Sequence, residues 1–441
     1  MSNSQESWPR PAVAWYMVGV LMIAYILSFI DRVVLGLLVG PIRADLGISD
    51  TQMSLLYGFV FAAFYTVIGI PIAWAIDRYN RRSIIAASVG LWSAMTILCG
   101  FARSFAQLAL ARIGVAIGEA ALSPGAYSMA GDSFPEKRLG RALSVFMFGL
   151  PVGVGLALII GGLVIRAVSG SAEYVLPIVG ATRAWQLVFL VVGLPGLLLA
   201  GWMLTIREPP RRIKASKAEQ VSIRATLSHM ARSWRVYVTI ILGFAVHGMV
   251  LNVYQIWGVQ YFVRVHGLSI AEAGMQLGLA IAIFGSFGLL AGGWITDRWR
   301  SAGHTDAAVR VGLMASISLA PLSVACVLVG DLTIASLLLI PIGFLTSLPF
   351  GAGAAAIVVL TPPRMRAQAS AIYLLFVNLL GIGLAPFVTA LLTDSYFKSD
   401  LAVGRSVALV SGCAAVVASL LLLRARPLYR SEVSRIYAQS S

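Results

Sequence analysis

Apolar residues run along this chain in stretches of about 20 or more. They show neither the alternation of a half-buried strand nor the narrow stripe of a soluble helix. Twelve stretches can be drawn, at 13–40, 52–76, 83–103, 105–130, 140–166, 184–206, 236–263, 272–296, 308–330, 333–359, 367–394 and 402–424. Each is long enough to cross a hydrocarbon core of about 30 Å. The longest interruption, 207–235, opens Arg207-Glu208-Pro209-Pro210 and divides the stretches six and six. The pattern predicts an all-α membrane protein of twelve transmembrane helices. Its parts are an N-terminal six-helix bundle (1–206), a linker (207–235), and a C-terminal six-helix bundle with its tail (236–441). In the linker, Ile223, Leu227, Met230 and Trp234 recur at helical spacing, opposite Arg224, Arg232 and Arg235. That spacing predicts a basic amphipathic helix lying on the membrane surface.

Charge fixes the expected orientation. Loops on the side of the termini hold 24 Lys and Arg, the opposite loops hold 7, and Arg32 and Arg112 fall inside helices. Positive loops face the cytoplasm, so both termini are expected there, in a bacterial inner (plasma) membrane. The first stretch is long, carries a charge pair and lacks a small-residue cleavage site, so it is expected to be a retained helix. The net charge of +15 would suggest nucleic acid in a soluble chain. Here its sidedness accounts for it, and no nucleic-acid partner is expected.

Composition narrows the function. The 441 residues are 59% hydrophobic and 12% charged, with mean hydropathy +0.87, against about 25% charged in soluble domains. That excludes a soluble enzyme, a coiled coil and a secreted disulfide scaffold. Cys99, Cys326 and Cys413 lie in separate apolar stretches, and the four histidines form no ligand-spaced pair. No metal, cofactor or disulfide framework is expected. No nucleophile with a base at common depth points to an enzyme, and no phosphate-cradling ATP loop is present, so energy must come from a gradient.

The halves echo each other. Asp77-Arg78 follows helix 2 and Asp297-Arg298 follows helix 8, an offset of 220. Gly153-Val154-Gly155-Leu156-Ala157 in helix 5 matches Gly381-Ile382-Gly383-Leu384-Ala385 in helix 11, an offset of 228. A duplicated six-helix unit is the architecture of secondary transporters, with the substrate site at the repeat interface near mid-membrane. Gly149, Gly153 and Gly155 in helix 5, and Gly285, Gly288 and Gly292 in helix 8, are expected to let the halves approach closely.

Four charges lie deep in helices: Asp31 and Arg32 in helix 1, Arg112 and Glu119 in helix 4. A charge at the bilayer centre costs about 2.5–3.5 kcal/mol on insertion scales, so four must pair or face water. Arg112 and Glu119 share a helical face about 10.5 Å apart, and Asp31 lies at a depth between them. With helices 1 and 4 side by side, as the resemblance given below implies, the arithmetic allows one neutral cluster, with Asp31 beside Arg112 and Arg32 within reach of Glu119. Two readings remain open: a structural network tying helix 1 to helix 4, or a proton and headgroup site. In the second, a carboxyl that takes a proton frees an arginine for a phosphate or carboxylate. The expected cavity wall is Tyr57 and Tyr127 in the first half, with His247, Asn252, Gln255, Ser347, Phe350, Tyr373 and Asn378 in the second. A wall charged on one side and neutral on the other suits an amphiphile.

Some of these segments resemble a known family. Asp77-Arg78-Tyr79-Asn80-Arg81-Arg82 and its echo Gly293-Trp294-Ile295-Thr296-Asp297-Arg298 resemble the loop motif of the major facilitator superfamily, with Ala73 where the first copy usually has Gly. Ile30-Asp31-Arg32, Ala111-Arg112 through Gly118-Glu119-Ala120, Arg141 through Phe146, and Gly149 through Gly153 are similar to the spinster group of lipid transporters. The Asp-Arg pair in helix 1, with Arg and Glu seven apart in helix 4, also resembles the proton-coupled organic-anion symporters. The resemblance implies two bundles related by a pseudo-two-fold, and helices 1 and 4 lining the cavity. It implies a cytoplasmic gate of Asp77, Arg78, Arg81, Arg82, Arg141, Asp297 and Arg298 that latches the outward-open state. Physically, Asp77 could cap the following helix or pair with Arg141. The expected function is alternating-access, proton-coupled transport of an amphiphilic lipid, lysophospholipid or sphingoid-phosphate-like. The alternative is proton symport of a small organic anion such as a sugar acid. The partners are then substrate, protons and membrane lipids, and the protein is expected to be a monomer.

Overall fold

The computed structural model describes residues 8–168, 173–176, 180–211 and 222–440. Among them, twelve helices are long and apolar enough to cross a membrane. The first six spans are Pro11–Leu37, Asp50–Arg78, Arg81–Cys99, Phe105–Ser133, Arg138–Val168 and Ala184–Met203. The second six are Trp234–His266, Ile270–Ser301, Ala307–Leu328, Leu332–Leu360, Gln368–Phe397 and Asp400–Ile436. An even number of spans leaves both described ends on one side, called here the terminal face, opposite the far face.

Local chemistry sets the span ends. Gly47 (φ 63°) stops the short helix Val39–Leu46 in the left-handed conformation that glycine tolerates. Two residues on, Ser49 and Gln52 form a reciprocal capping box that starts span 2. The second half repeats this 220 residues later: Gly267 (φ 69°) ends span 7, and Ser269 with Glu272 starts span 8. Span 12 runs well past the expected end at 424, because the helix continues through polar Arg424, Arg426 and Arg430 where hydropathy gives no signal. A two-stranded hairpin, Glu173–Leu176 with Gly180–Arg183, interrupts the helical chain between spans 5 and 6.

The expected amphipathic helix is present at Ile223–Arg232, capped by Ser222. Met230 is buried in the second half's core while Ile223, Leu227 and Trp234 are exposed. Linker residues 212–221 lie outside the described residues.

The core shows how the halves are arranged. Toward the far face one continuous cluster joins them, taking in Ile30–Ile42 of the first half and Val250–Phe262 of the second. Toward the terminal face there are two clusters. One consists of first-half residues around Trp92 and Phe146, and the other of second-half residues around Phe244 and Tyr429. The halves are therefore fused at the far face and separate at the terminal face. Four spans along the seam carry a π-helical turn: Leu55–Phe59 in span 2, Tyr254–Gly258 in span 7, Ala280–Gly285 in span 8 and Asn378–Leu384 in span 11. Such turns gather at functional sites because they re-aim side chains.

Glycines make the seam. A Cβ on Gly58 in span 2 would meet the carbonyl of Ile382 in span 11, and one on Gly278 in span 8 would meet that of Gly155 in span 5 at 2.8 Å. The expectation for helix 8 needs correction. Gly288 and Gly292 pack on Phe344 and Leu348 of span 10, and Gly285 on Ser347, all within the same half. Gly149 and Gly153 likewise face Met22 and Ile26 of span 1, and only Gly155 of that set reaches across.

Candidate functional site

The four membrane charges meet between spans 1 and 4. Arg32 pairs through Nη2 with Glu119 Oε2. Arg112 Nη1 donates to the main-chain carbonyl of Asp31 at 3.1 Å. The expected neighbours Asp31 and Arg112 thus meet, through the Asp31 main chain, and the Asp31 carboxyl lies among Trp92 and Thr96 of span 3 as well as Arg112. Three of the four residues are buried. The Arg32 side chain retains 11% of its surface against 1% for Glu119, so Arg32 is the more accessible member of the pair. Glu119 Oε1, Arg32 Nε, and Arg112 Nε and Nη2 have no hydrogen-bond partner among the described residues.

Aromatic rings enclose this pair. The Arg32 guanidinium lies 4.4 Å from the Phe61 ring centre, 5.0 Å from Phe29 and 5.5 Å from Tyr65. Arg112 lies 5.4 Å from Phe61, which is thus shared by both cations. A cation over such faces is attracted by the ring quadrupole. Phe29, Phe61 and Tyr65 are absent from the sequence-based set. Phe29 sits one helical turn before Arg32, which was a usable signal; nothing in the sequence ties span 2 to that turn.

The facing wall is neutral. Tyr57 donates to Gln255 Oε1 at 3.4 Å across the seam, and Asn252 bonds its own helix at Gly248 and packs on Gly381. Phe350 and Asn378 are half-buried, and Tyr127 is exposed beside Met147. Three expected wall residues turn elsewhere. His247 bonds Ser316 of span 9 at 2.9 Å, Ser347 packs on Gly285, and Tyr373 packs its hydroxyl on Gly353 of span 10. In a helix wholly within apolar surroundings, periodicity alone does not separate the cavity face from the core face.

At the terminal face, Asn80 rather than Asp77 caps span 3. Asp77, Arg78, Arg141, Asp297 and Arg298 are exposed, with Arg78 over Trp74 and Arg298 over Trp294. Arg81 is fully buried and pairs with Asp132 and, at 2.7 Å, with Glu208. The Arg82 main-chain N–H also donates to Glu208, while Arg211 donates to the carbonyls of Ile76, Asp77 and Tyr79. The linker's first residues thus strap the loop between spans 2 and 3.

A second ionic cluster, missed by the sequence reading, bolts the far face. Asp50 is fully buried and takes both Arg264 terminal nitrogens at 2.6 and 2.8 Å. Arg43 bridges Asp50 and Asp400, each at 3.0 Å. Thr51 donates its N–H and hydroxyl to Asp394, both at 2.7 Å. Burial works against the Arg43 charge, but Asp400 and Asp50 hold its pKa above the ordinary value. These links, with Tyr57–Gln255, all lie in the fused part of the molecule.

Comparison with known proteins fits this geometry. The profile of the Major Facilitator Superfamily matches residues 21–386. The chain is 29% identical over 428 residues to an MFS-type efflux pump of Mycolicibacterium smegmatis, covering 96% of this chain and 95% of that one. It is 25% identical over 290 residues to a protein of Escherichia coli named "Probable L-galactonate transporter", covering 63% and 60%. Among solved structures it matches a bacterial homologue of the human lysosomal transporter spinster, in an inward-facing and unoccupied conformation. That match has TM-score 0.80 and 28% identity, and covers 97% and 98% of the two chains. With twelve spans, a charged cluster between spans 1 and 4 and a family profile over most of its length, the chain belongs to the Major Facilitator Superfamily as a spinster-like secondary transporter, not an enzyme.

Proposed function

We propose that the protein carries a single-chain anionic amphiphile, of lysophospholipid or sphingoid-phosphate type, by alternating access coupled to protons. One observation carries this reading: the accessible, aromatic-walled Arg32 guanidinium is held by a single carboxylate, Glu119, whose second oxygen is free. A proton on Glu119 cancels its charge and releases Arg32 to a phosphate or carboxylate headgroup. Arg112 adds a second cation beside Phe61. The neutral wall around Asn252, Gln255, Phe350 and Asn378 offers the tail no competing charge.

The sidedness of Lys and Arg supports a cytoplasmic terminal face in a bacterial inner membrane. The state described is then open inward, with the far-face bolt shut and the gate residues Asp77, Arg141 and Asp297 disengaged. In this reading the bundles 1–206 and 236–441 move as bodies, joined by 207–235.

A second reading is symport of a sugar acid. Similarity to the protein named as an L-galactonate transporter favours it. Competition by a homologous series of single-chain lipids on purified protein separates the two. The amphiphile reading expects affinity to rise with chain length, by about 0.8 kcal/mol per buried CH₂, until the slot is full. Affinity indifferent to chain length, with saturable uptake of a sugar acid, would replace it.

A further inference from the structure

Away from the central site, three arginines converge on one carboxylate in the second half. Asp306 precedes span 9 and its side chain is fully buried. It takes Arg310 Nε at 2.8 Å, Arg426 Nε at 3.0 Å and Arg430 Nε at 3.0 Å. Each guanidinium spends only its Nε on Asp306. The six terminal nitrogens make no hydrogen bond among the described residues, and the three side chains keep 26%, 29% and 46% of their surface. The carboxylate thus fixes three guanidinium planes and leaves their outward forks open, with two positive charges in excess.

Position gives those forks an occupant. Arg310 is on span 9 and the other two on the extension of span 12, so the cluster stands at the terminal face. The last helix, Val403–Ser440, is about 57 Å long, against an apolar core of about 30 Å. With Val403 at the far edge of that core, Arg426 lies about 35 Å along the axis, among the lipid headgroups. The equivalent corner of the first half has the opposite polarity: buried Arg81, entering span 3, is held by Asp132 and Glu208. The same kind of cross-link carries an excess of acid in one half and an excess of cation in the other.

We propose that the Arg310–Arg426–Arg430 triad is a binding site for the phosphate headgroup of an anionic membrane phospholipid, separate from the transport site. The open forks match phosphate oxygens through charge-assisted hydrogen bonds, and Asp306 preorganises them. A bound lipid would staple span 9 to the extension of span 12.

The test is native mass spectrometry of detergent-purified protein titrated with short-chain phosphatidic acid or phosphatidylcholine. Wild type is expected to retain phosphatidic acid at concentrations where phosphatidylcholine does not bind. Arg430→Gln and Arg426→Gln, which leave two arginines on Asp306, are each expected to lose about tenfold in that affinity. Arg166→Gln at the far face and Arg32→Ala in the central site are expected to leave it unchanged. Equal binding of the two lipids, or unchanged affinity in both triad variants, would overturn the site. Loss in Arg32→Ala alone would assign the binding to the transport cavity. Full displacement by inorganic phosphate at matched concentration would show a free-anion site and overturn the lipid assignment.

Discussion

Gly58 of span 2 and Gly278 of span 8 lie 220 residues apart, and each puts its missing side chain against a carbonyl of the opposite half. Gly58 meets Ile382 and Gly383, and Gly278 meets Gly155. Gly155 and Gly383 themselves occupy matching places in the second sequence echo. The fused far-face seam thus contains one contact made twice by duplicated residues, beside others such as Gly274 on the carbonyl of Leu158. A transporter that rocks must break both contacts, and glycine lets them form without interlocking side chains.

Gly58→Ala and Gly278→Ala are therefore expected to disfavour the fused far face. Paired spin labels placed across that face should report longer distances in either variant than in wild type. Unchanged distance distributions would show that the seam can absorb a methyl group and does not set the state.

The ionic bolt gives an independent handle on the same equilibrium. Arg264→Gln removes the bidentate hold on buried Asp50 while leaving Arg43 in place. Losing one of its two cations weakens the hold on buried Asp50, at less than the cost of about 3–5 kcal/mol for a buried charge left unpaired. That cost falls only on the shut state, so a cysteine placed beside Thr51 should label faster from the far side. An unaltered labelling rate would mean that the bolt is not needed to hold the far face shut.

The central pair should show coupling. Arg32→Ala leaves Glu119 buried without its cation, whereas Arg32→Ala with Glu119→Gln leaves no charge to satisfy. The single variant is expected to unfold at lower temperature than the double, although both lose transport. Additive stability losses would contradict a direct ionic contact.

Asp306 supplies a pH test outside the spans. Burial works to raise its carboxyl pKa, but hydrogen bonds from Arg426, Arg430 and Arg310 outweigh it and hold it below the ordinary value, which is about 3.9. A carboxyl lowered in the folded state contributes stability that is complete above its unfolded pKa and is lost as pH falls through the folded one. Asp306→Asn should therefore melt below wild type at neutral pH, with the gap closing only below about pH 4. A gap that closes between pH 5 and 7 would contradict the assignment.

The sequence carried the spans, the duplication and the spacing of the charged cluster. Hydrophobic length, repeat offsets and the cost of intramembrane charge are all properties of the chain itself. It did not carry the aromatic walls of Arg32, because Phe61 and Tyr65 lie on another span and look like any lipid-facing aromatics. His247, Ser347 and Tyr373 were placed on the wrong side of their helices for a related reason: core, cavity and lipid faces are all apolar here. The far-face bolt escaped because Arg43, Asp50, Arg264 and Asp400 sit at span ends, where charges are common and pairing depends on which ends meet. The Gly47–Ser49 and Gly267–Ser269 echo was present in the sequence and became legible only once both were found ending and starting helices.

The central claim is that Glu119 switches Arg32 between a proton-free ion pair and a substrate-binding cation. Its most direct test is lysophospholipid transport in proteoliposomes with and without an imposed proton gradient, comparing wild type with Glu119→Gln. Wild type should accumulate substrate against its gradient when the proton gradient is imposed. Glu119→Gln should lose that accumulation by more than about tenfold while remaining folded. Wild-type flux indifferent to the proton gradient, or Glu119→Gln accumulating as well as wild type, would contradict the account.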